Sequence, residues 1–490
     1  MREESVEPAK LTAGIDLGTQ SVRVLVADGE GEVVAAASSP LRSVRTGVRH
    51  EQDAEDWWRA VGEAARRATA DAGSEVGAIS ICSTSGTILL ADRKGAPSTP
   101  ALMYDDGRAV EETDLVQRAG RDLWDRLGYG MQRSFALPKL LWLLRAGYGA
   151  GNRRLLHSAD FVASRLAGGP VESDWSHALK TGYDLLERRW SGEILEEIGV
   201  PPEILPEVVR PGTAIGEVCA GAARHTGFAR GTTIRAGMTD GCAAQISAGA
   251  FDEGQWNSVL GTTLALKGAS REPLKDPGGA VYSHLHPDGG WLPGGASNTG
   301  AGALSEWFPG RDLGELNRRA EERGPSRAVI YPLASQGERF PFAAPEALGF
   351  ELGSPRDEVE RYRAVLEGVA FIESLSFCRL KSLGAEIKEP VTFTGGATRS
   401  RFWSQLRSDV LRMRVRIPEN AEPAFGMAAL ARAGDGPIAP VAARLSRTAQ
   451  LFEPDEHRSA PLLQSYEKLL TELVERDYIT AGAVSGIGVS

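Results

Sequence analysis

The chain has 490 residues, more than one hydrophobic core usually supports, so two domains are expected. Hydrophobic residues make up 42% and charged residues 24%, the balance of an ordinary globular protein. The net charge of −10 speaks against nucleic-acid binding as its main role, and no run of 18 apolar residues offers a membrane-spanning helix.

Met1-Arg2-Glu3-Glu4-Ser5 lacks the basic start and apolar stretch of an export signal. Cys82, Cys219, Cys242 and Cys378 are scattered with no Cys-x-x-Cys pair, as expected of reduced thiols in a cytoplasmic protein. Leu11–Asp16, Ser21–Ala27 and Glu32–Ala37 read as three short strands. Gly18-Thr19 and Gly29-Glu30-Gly31 supply the turns of an antiparallel meander. A helix is predicted over Asp53–Ala70, with Trp57, Val61, Ala64 and Ala68 on one face and Gly73 as its stop. Gly77–Cys82 and Thr87–Ala91 read as strands around a turn at Thr84-Ser85-Gly86.

From Gln255 the pattern restarts. Gln255–Leu260 and Leu264–Gly268 flank a second Gly-Thr turn, and Ala280–His284 reads as a third strand. Gly294–Gly300 leads into a helix ending near Phe308. A long helix comes next, with Ser354 as N-cap, Pro355 at its first position, Asp357 completing a capping box and Gly384 past its end. Pro390–Thr394 is a strand running into Gly395-Gly396-Ala397. The Arg-rich stretch from Arg401 to Arg416 reads as a helix with a solvated basic face and a following strand. The expected fold is α/β: two actin-like, ribonuclease-H-like domains with a ligand cleft between them. The expected boundaries are 1–247, 248–435, and a helical tail at 436–490 packing back on the first domain.

The two Gly-Thr turns can bring backbone amides close to a phosphate. With Asp16 before the first and Asp240 before the run Cys242-Ala243-Ala244, they make the parts of a nucleotide-dependent phosphoryl transferase. Asp16 suits Mg²⁺, which prefers oxygen and keeps much of its water; it could instead cap its turn. Asp240 suits a general base and also suits a helix N-cap. Gly18, Thr19, Gln20, Thr262 and Thr263 are candidates for phosphate contact, and Arg23 for added charge. Glycine-rich P-loop, dinucleotide and serine-elbow motifs do not occur.

Asp16-Leu-Gly-Thr, Tyr104-Asp-Asp-Gly-Arg108, Thr239-Asp-Gly241, Gly261-Thr-Thr263, Gly294-Gly-Ala-Ser-Asn298, Gly337-Glu-Arg339 and Gly395-Gly-Ala397 occur in an order and spacing that resembles the FGGY family of carbohydrate kinases. The resemblance runs from about residue 11 to 432. It implies transfer of the ATP γ-phosphate to a sugar hydroxyl, with Asp240 as base and Asp16 as the metal-organising acid. It further implies Gly261, Thr262 and Thr263 as a phosphate hairpin, Gly395, Gly396 and Ala397 as an adenosine wall, and Asn298 and Glu422 beside the nucleotide.

For the sugar, Ser85, Asp106, Arg108 and Asp174 are the expected contacts, although Asp106 and Arg108 could form a structural ion pair. Thr84–Thr87, Ser173–Gly182, Tyr282–His284 and Tyr331–Pro341 resemble a subgroup that prefers D-ribulose, whereas Asp106-Gly-Arg108 departs from it. The expected product is D-ribulose 5-phosphate, with D-xylulose, a pentitol or gluconate as alternatives. A non-catalytic sugar or nucleotide sensor is the rival of another class. His177 and His284 are expected in structural hydrogen bonds.

Overall fold

The computed structural model describes residues 11–480 apart from Ser74 and Ala150; the reading of Met1–Ser5 lies outside the described residues. The chain divides into two units. The first runs up to Gly249 and adds His284–Gly290 and Asn420–Ser446; the second comprises Ala250–Ser283, Trp291–Glu419 and the chain from Arg447 onward.

In the first unit β1 (Leu11–Leu17), β2 (Ser21–Ala27) and β3 (Val33–Pro40) form the expected antiparallel meander. Helix α1 (Ala54–Ala72) comes after it, with Asp53 accepting from the Glu55 amide at its start and Gly73 left-handed at its end. Trp57, Val61, Ala64 and Ala68 are all buried, as their spacing predicts, and each large side chain contributes about 1.5–3 kcal/mol by leaving water. Next come β4 (Val76–Ser83), α2 (Ala136–Arg145), α3 (Ser158–Ala167), β5 (Ala214–Glu217), β6 (Thr233–Thr239) and α4 (Asp240–Ser247). The six-stranded sheet has the order β5-β6-β4-β1-β2-β3, with β6, β4 and β1 parallel. A separate five-stranded sheet pairs Ile88–Ala91 with Arg154–His157 and Ala101–Leu102.

The second unit repeats the plan. Antiparallel β7 (Trp256–Leu260) and β8 (Leu264–Gly268) are joined at the second Gly-Thr turn, but the next neighbour of β8 is β10 (Trp291–Ser297), and β9 (Val281–Leu285), expected as the third strand, pairs outside β10 at the sheet edge. Gly294–Ser297, read as a leader to a helix, belongs to strand β10. Helix α5 (Glu358–Ser382) is capped by Asp357, which accepts from the Glu360 amide, rather than by Ser354. Then β11 (Val391–Thr394) runs parallel to β7, and α6 (Arg401–Leu411) leads to β12 (Val415–Pro418). The basic face of α6 is not wholly solvated, because Arg407 is completely buried.

Two segments reverse the expected domain assignment. Helix α7 (Pro423–Ala433), placed by sequence in the second domain, packs on β1 and α4 of the first unit. Gly14 permits this: a Cβ there would lie 1.8 Å from the Ala424 carbonyl oxygen, so only glycine lets helix and strand come so close. The tail packs on the second unit, not the first. There β13 (Thr448–Phe452) pairs with β12, and α8 (Glu456–Glu475) buries Leu462, Tyr466, Leu469, Leu470 and Leu473 in that unit's core. Leucine spacing announces a buried face but not which core receives it.

Candidate active site

Strands β1, β4 and β6 are parallel and end level, with Asp16 opposite Cys82, Leu17 opposite Ser83, and Ser83 opposite Thr239. Ligands of such sheets bind at the carboxyl ends of the strands. Asp16 lies at the end of β1, and Asp240 opens α4 directly after β6. Thr239, not Asp240, occupies the N-cap position; Asp240 accepts from the Gly241 amide at 2.7 Å.

Burial and then the nearby charge of Asp240 push the Asp16 carboxyl up to about 7. The Cys82 thiol, 3.6 Å from Asp16 Oδ1, and the Arg23 charge pull it back only in part. Arg23 Nη1 donates to Glu422 Oε1 at 3.2 Å, with both side chains about half exposed. Glu422 stands at the start of α7, so the first unit brings it to Asp16 and Arg23. Gly395–Ala397 belong to the other unit.

The first Gly-Thr turn is tied from within. The Gly18 amide donates to the Ser21 carbonyl, Gln52 Nε2 to Thr19 O, and the Leu41 amide to Gln20 O. In the second unit the Gly261 amide donates to Thr263 O, while the amides of Ala301 and Gly302 hold the carbonyls of Gly261 and Thr262. The side chains of Thr262 and Thr263 stand exposed at the hairpin tip. Glu338, a buried carboxylate, accepts from the Asn298 and Arg339 amides and from the hydroxyls of Ser297, Thr299 and Tyr331. Asn298 Nδ2 is spent on the Gly337 carbonyl. Gly395 ends β11, and its carbonyl accepts from the Thr398 amide and hydroxyl across the turn holding Gly396 and Ala397.

Among the expected sugar contacts, Asp106 is completely buried. It accepts from the His50 amide at 2.8 Å and is forked by Arg108, whose Nη2 also reaches Glu51. Burial alone would raise the Asp106 carboxyl, yet Arg108 and the His50 amide hold it below its usual value. Arg108 also stacks over Trp142 at 4.7 Å. The alternative of a structural ion pair is therefore the arrangement found. Asp174 is likewise turned inward, accepting from Ser176, from the His177 amide and from His177 Nδ1. His177 Nε2 meets Ser83 Oγ at 2.9 Å, the structural bonding expected of that histidine. Ser85 differs from both carboxylates: its Oγ is buried and has no partner among the described residues.

Three functional or supporting groups escaped the sequence reading. Lys139 is one, although a lysine inside Ala-Leu-Pro-Lys-Leu-Leu-Trp is a visible anomaly in an apolar helix. Glu338 appeared only as a motif letter, and the Glu373–Arg407 pair gave no local signal because its members lie on different helices.

With this geometry in view, the comparisons are decisive for class: the chain belongs to the FGGY family of carbohydrate kinases, matching the family's N-terminal domain over residues 11–247 and its C-terminal domain over 256–434. It is an ATP-dependent sugar kinase. It is 28% identical over 483 residues to the xylulose kinase of Escherichia coli K12, covering 94% of this chain and 99% of that one. It is 29% identical to the xylulose kinase of Streptomyces coelicolor, covering 99% and 97%. Among solved structures, a xyloylose kinase from Brucella ovis superposes with a TM-score of 0.86 at 27% identity, covering 94% and 97%.

Proposed function

We propose that the protein transfers the γ-phosphate of ATP to the terminal hydroxyl of a ketopentose, with D-xylulose as the first substrate to test. The observation that carries this reading is the pairing of Asp16 with Asp240 at the level ends of parallel strands in one sheet. Asp240 orients the sugar hydroxyl and takes its proton late in a loose transition state. Asp16 is the group that would hold Mg²⁺, through water and the nucleotide's phosphate oxygens. The donor set fits: two close carboxylates, one pushed up by burial and by the charge of the other, suit a hard cation that keeps much of its water. Bound there, Mg²⁺ would neutralise phosphate charge.

The Gly18 and Gly261 amides are occupied within their turns. A phosphate cradle would therefore use the amides next in the chain and the hydroxyls of Thr19, Thr262 and Thr263. Asn298, Gly395, Gly396 and Ala397 are assigned to the nucleotide, and Glu422 with Arg23 to its phosphate side. Ser85 Oγ is assigned to a sugar hydroxyl because a buried hydroxyl without a partner is costly until a ligand supplies one. Asp106, Arg108 and Asp174 shape the surrounding loops through internal bonds. D-Xylulose is placed first because the named relatives are xylulose kinases. D-Ribulose stays as the second reading on the motifs of Thr84–Thr87 and Ser173–Gly182. We place the enzyme in the cytoplasm on its unpaired cysteines.

A coupled ADP-release assay over D-xylulose, D-ribulose, pentitols and gluconate tests this. Turnover of a ketopentose well above the others supports it. ADP release with a sugar acid or pentitol and not with a ketopentose would overturn it.

A further inference from the structure

Lys139 sits mid-way along α2 and is completely buried. Its ammonium donates to two main-chain oxygens, Gly86 O at 2.6 Å and Met103 O at 2.8 Å. Burial and the charge of Lys180 pull its pKa down to about 7, the signature of an ammonium held away from water. A methionine would fill the same volume without that cost, so packing alone does not account for a lysine here.

The two carbonyls belong to separate loops. Gly86 is the left-handed residue, φ +92°, of a turn closed by the Thr87 amide on Thr84 O and by a 2.7 Å bond between the two threonine hydroxyls. That turn carries Ser85. Just before it, Ser83 Oγ is gripped by the Ala159 amide, by Ser158 Oγ and by His177. The turn is thus anchored at both ends, and Ser85 Oγ, buried between the anchors, is left without a partner among the described residues. Met103 O opens the second loop, where it also accepts from the Asp106 amide. Tyr104, next in the chain, is one of the few exposed large hydrophobic side chains.

We propose that Lys139 is a positioning residue for sugar recognition, holding the Thr84–Thr87 turn and the loop from Met103 to Arg108 at the one spacing that lets Ser85 and Tyr104 engage the same sugar. This rests on the ketopentose-kinase reading. Lys139 touches no substrate; it acts through two carbonyls whose residues carry or adjoin the contacts. The loops flank two strands that pair through Ile88 and Leu102, and Lys139 adds a second tie beyond that pairing, at the loops themselves, which cuts the ordering cost of binding.

The test compares wild type, Lys139→Met and Lys139→Gln, the last retaining an NH₂ donor on a shorter stem. Steady-state kinetics with the best ketopentose should show the KM for sugar raised about tenfold or more in Lys139→Met, with the KM for ATP within about twofold and partial recovery in Lys139→Gln. Equal shifts in both KM values, or none, overturn the proposal. If Lys139→Met does not fold, hydrogen exchange on the wild type decides: sugar alone should slow exchange in the peptides spanning 84–91 and 103–109 together. Protection of only one loop refutes it. A wild type inactive on every sugar in the panel fails the ketopentose reading and this proposal with it, whereas an active wild type with unaltered variants fails Lys139 alone.

Discussion

Glu373 on α5 and Arg407 on α6 meet wholly inside the second unit, with guanidinium Nε and Nη2 donating to the two carboxylate oxygens at 2.7 Å each. Ser258 of β7 donates to the same carboxylate at 2.5 Å, and the guanidinium lies 3.5 Å from the centre of the Phe393 ring on β11. Two helices and two strands are thereby pinned at one point. Arg407→Met would strand the Glu373 charge in the core and is expected to cost about 3–5 kcal/mol in urea unfolding. The double variant Arg407→Met with Glu373→Leu should recover much of that loss. If it is no more stable than the single variant, the damage arises from packing and not from the unpaired charge.

Asp240→Asn keeps the shape and the bond from the Gly241 amide while removing the base. Turnover should fall on the order of 10²–10⁴-fold, with sugar affinity by calorimetry nearly unchanged. Turnover within a few-fold of wild type would remove Asp240 from that role.

Asp16 makes stability depend on pH in a definite direction. Its carboxyl titrates at 3.8 as a free group and at about 7 in the fold, so the folded state holds the extra proton between those values. Its favourable contribution is complete below about pH 4 and is lost as pH rises through about 7. Asp16→Asn should therefore flatten the Tm profile over that interval and exceed wild type at pH 8 in metal-free buffer. Mg²⁺ with ATP should raise the Tm of wild type at pH 8 more than that of the variant. Parallel profiles for the two proteins would contradict the position assigned to Asp16.

Arg108→Met should act on the fold more than on substrate choice. Arg108 is bonded to Asp106 and Glu51, and its loss leaves a fully buried carboxylate supported only by backbone amides. The expected penalty is about 3–5 kcal/mol in unfolding. The ratio of kcat/KM for D-xylulose and D-ribulose should stay within about threefold of wild type, since neither side chain is free to read a sugar hydroxyl. A reversed preference would restore this pair to the substrate site.

The meander strands, α1 and the Gly-Thr turns were legible because their signals are local: alternation, a capping Asp53, a stop at Gly73. The places of Asp16 at a strand end and of Asp240 at a helix start were legible through their downstream neighbours, a glycine turn in one case and a small-residue helix in the other. The inward turn of Asp174 and of Asp106 was not, because an acidic side chain in a loop looks the same whether it meets water, a ligand or an arginine two residues on. The role of Lys139 is hidden for a related reason: its partners are main-chain oxygens from residues 86 and 103, which leave no mark in the side-chain sequence. The assignment of α7 and α8 to their units failed because amphipathic spacing carries no address.

The return of α7 to β1 ties completion of the first unit to the order of biosynthesis. The strand that carries Asp16 leaves the ribosome long before the helix that covers Gly14, which is made only when residues 423–433 are translated. Until then one face of that strand waits uncovered while the second unit up to Glu419 is being synthesised. A ribosome stalled anywhere before Pro423 therefore displays an unfinished first unit, and a gene cut at residue 247 yields a fragment lacking its own lid on β1.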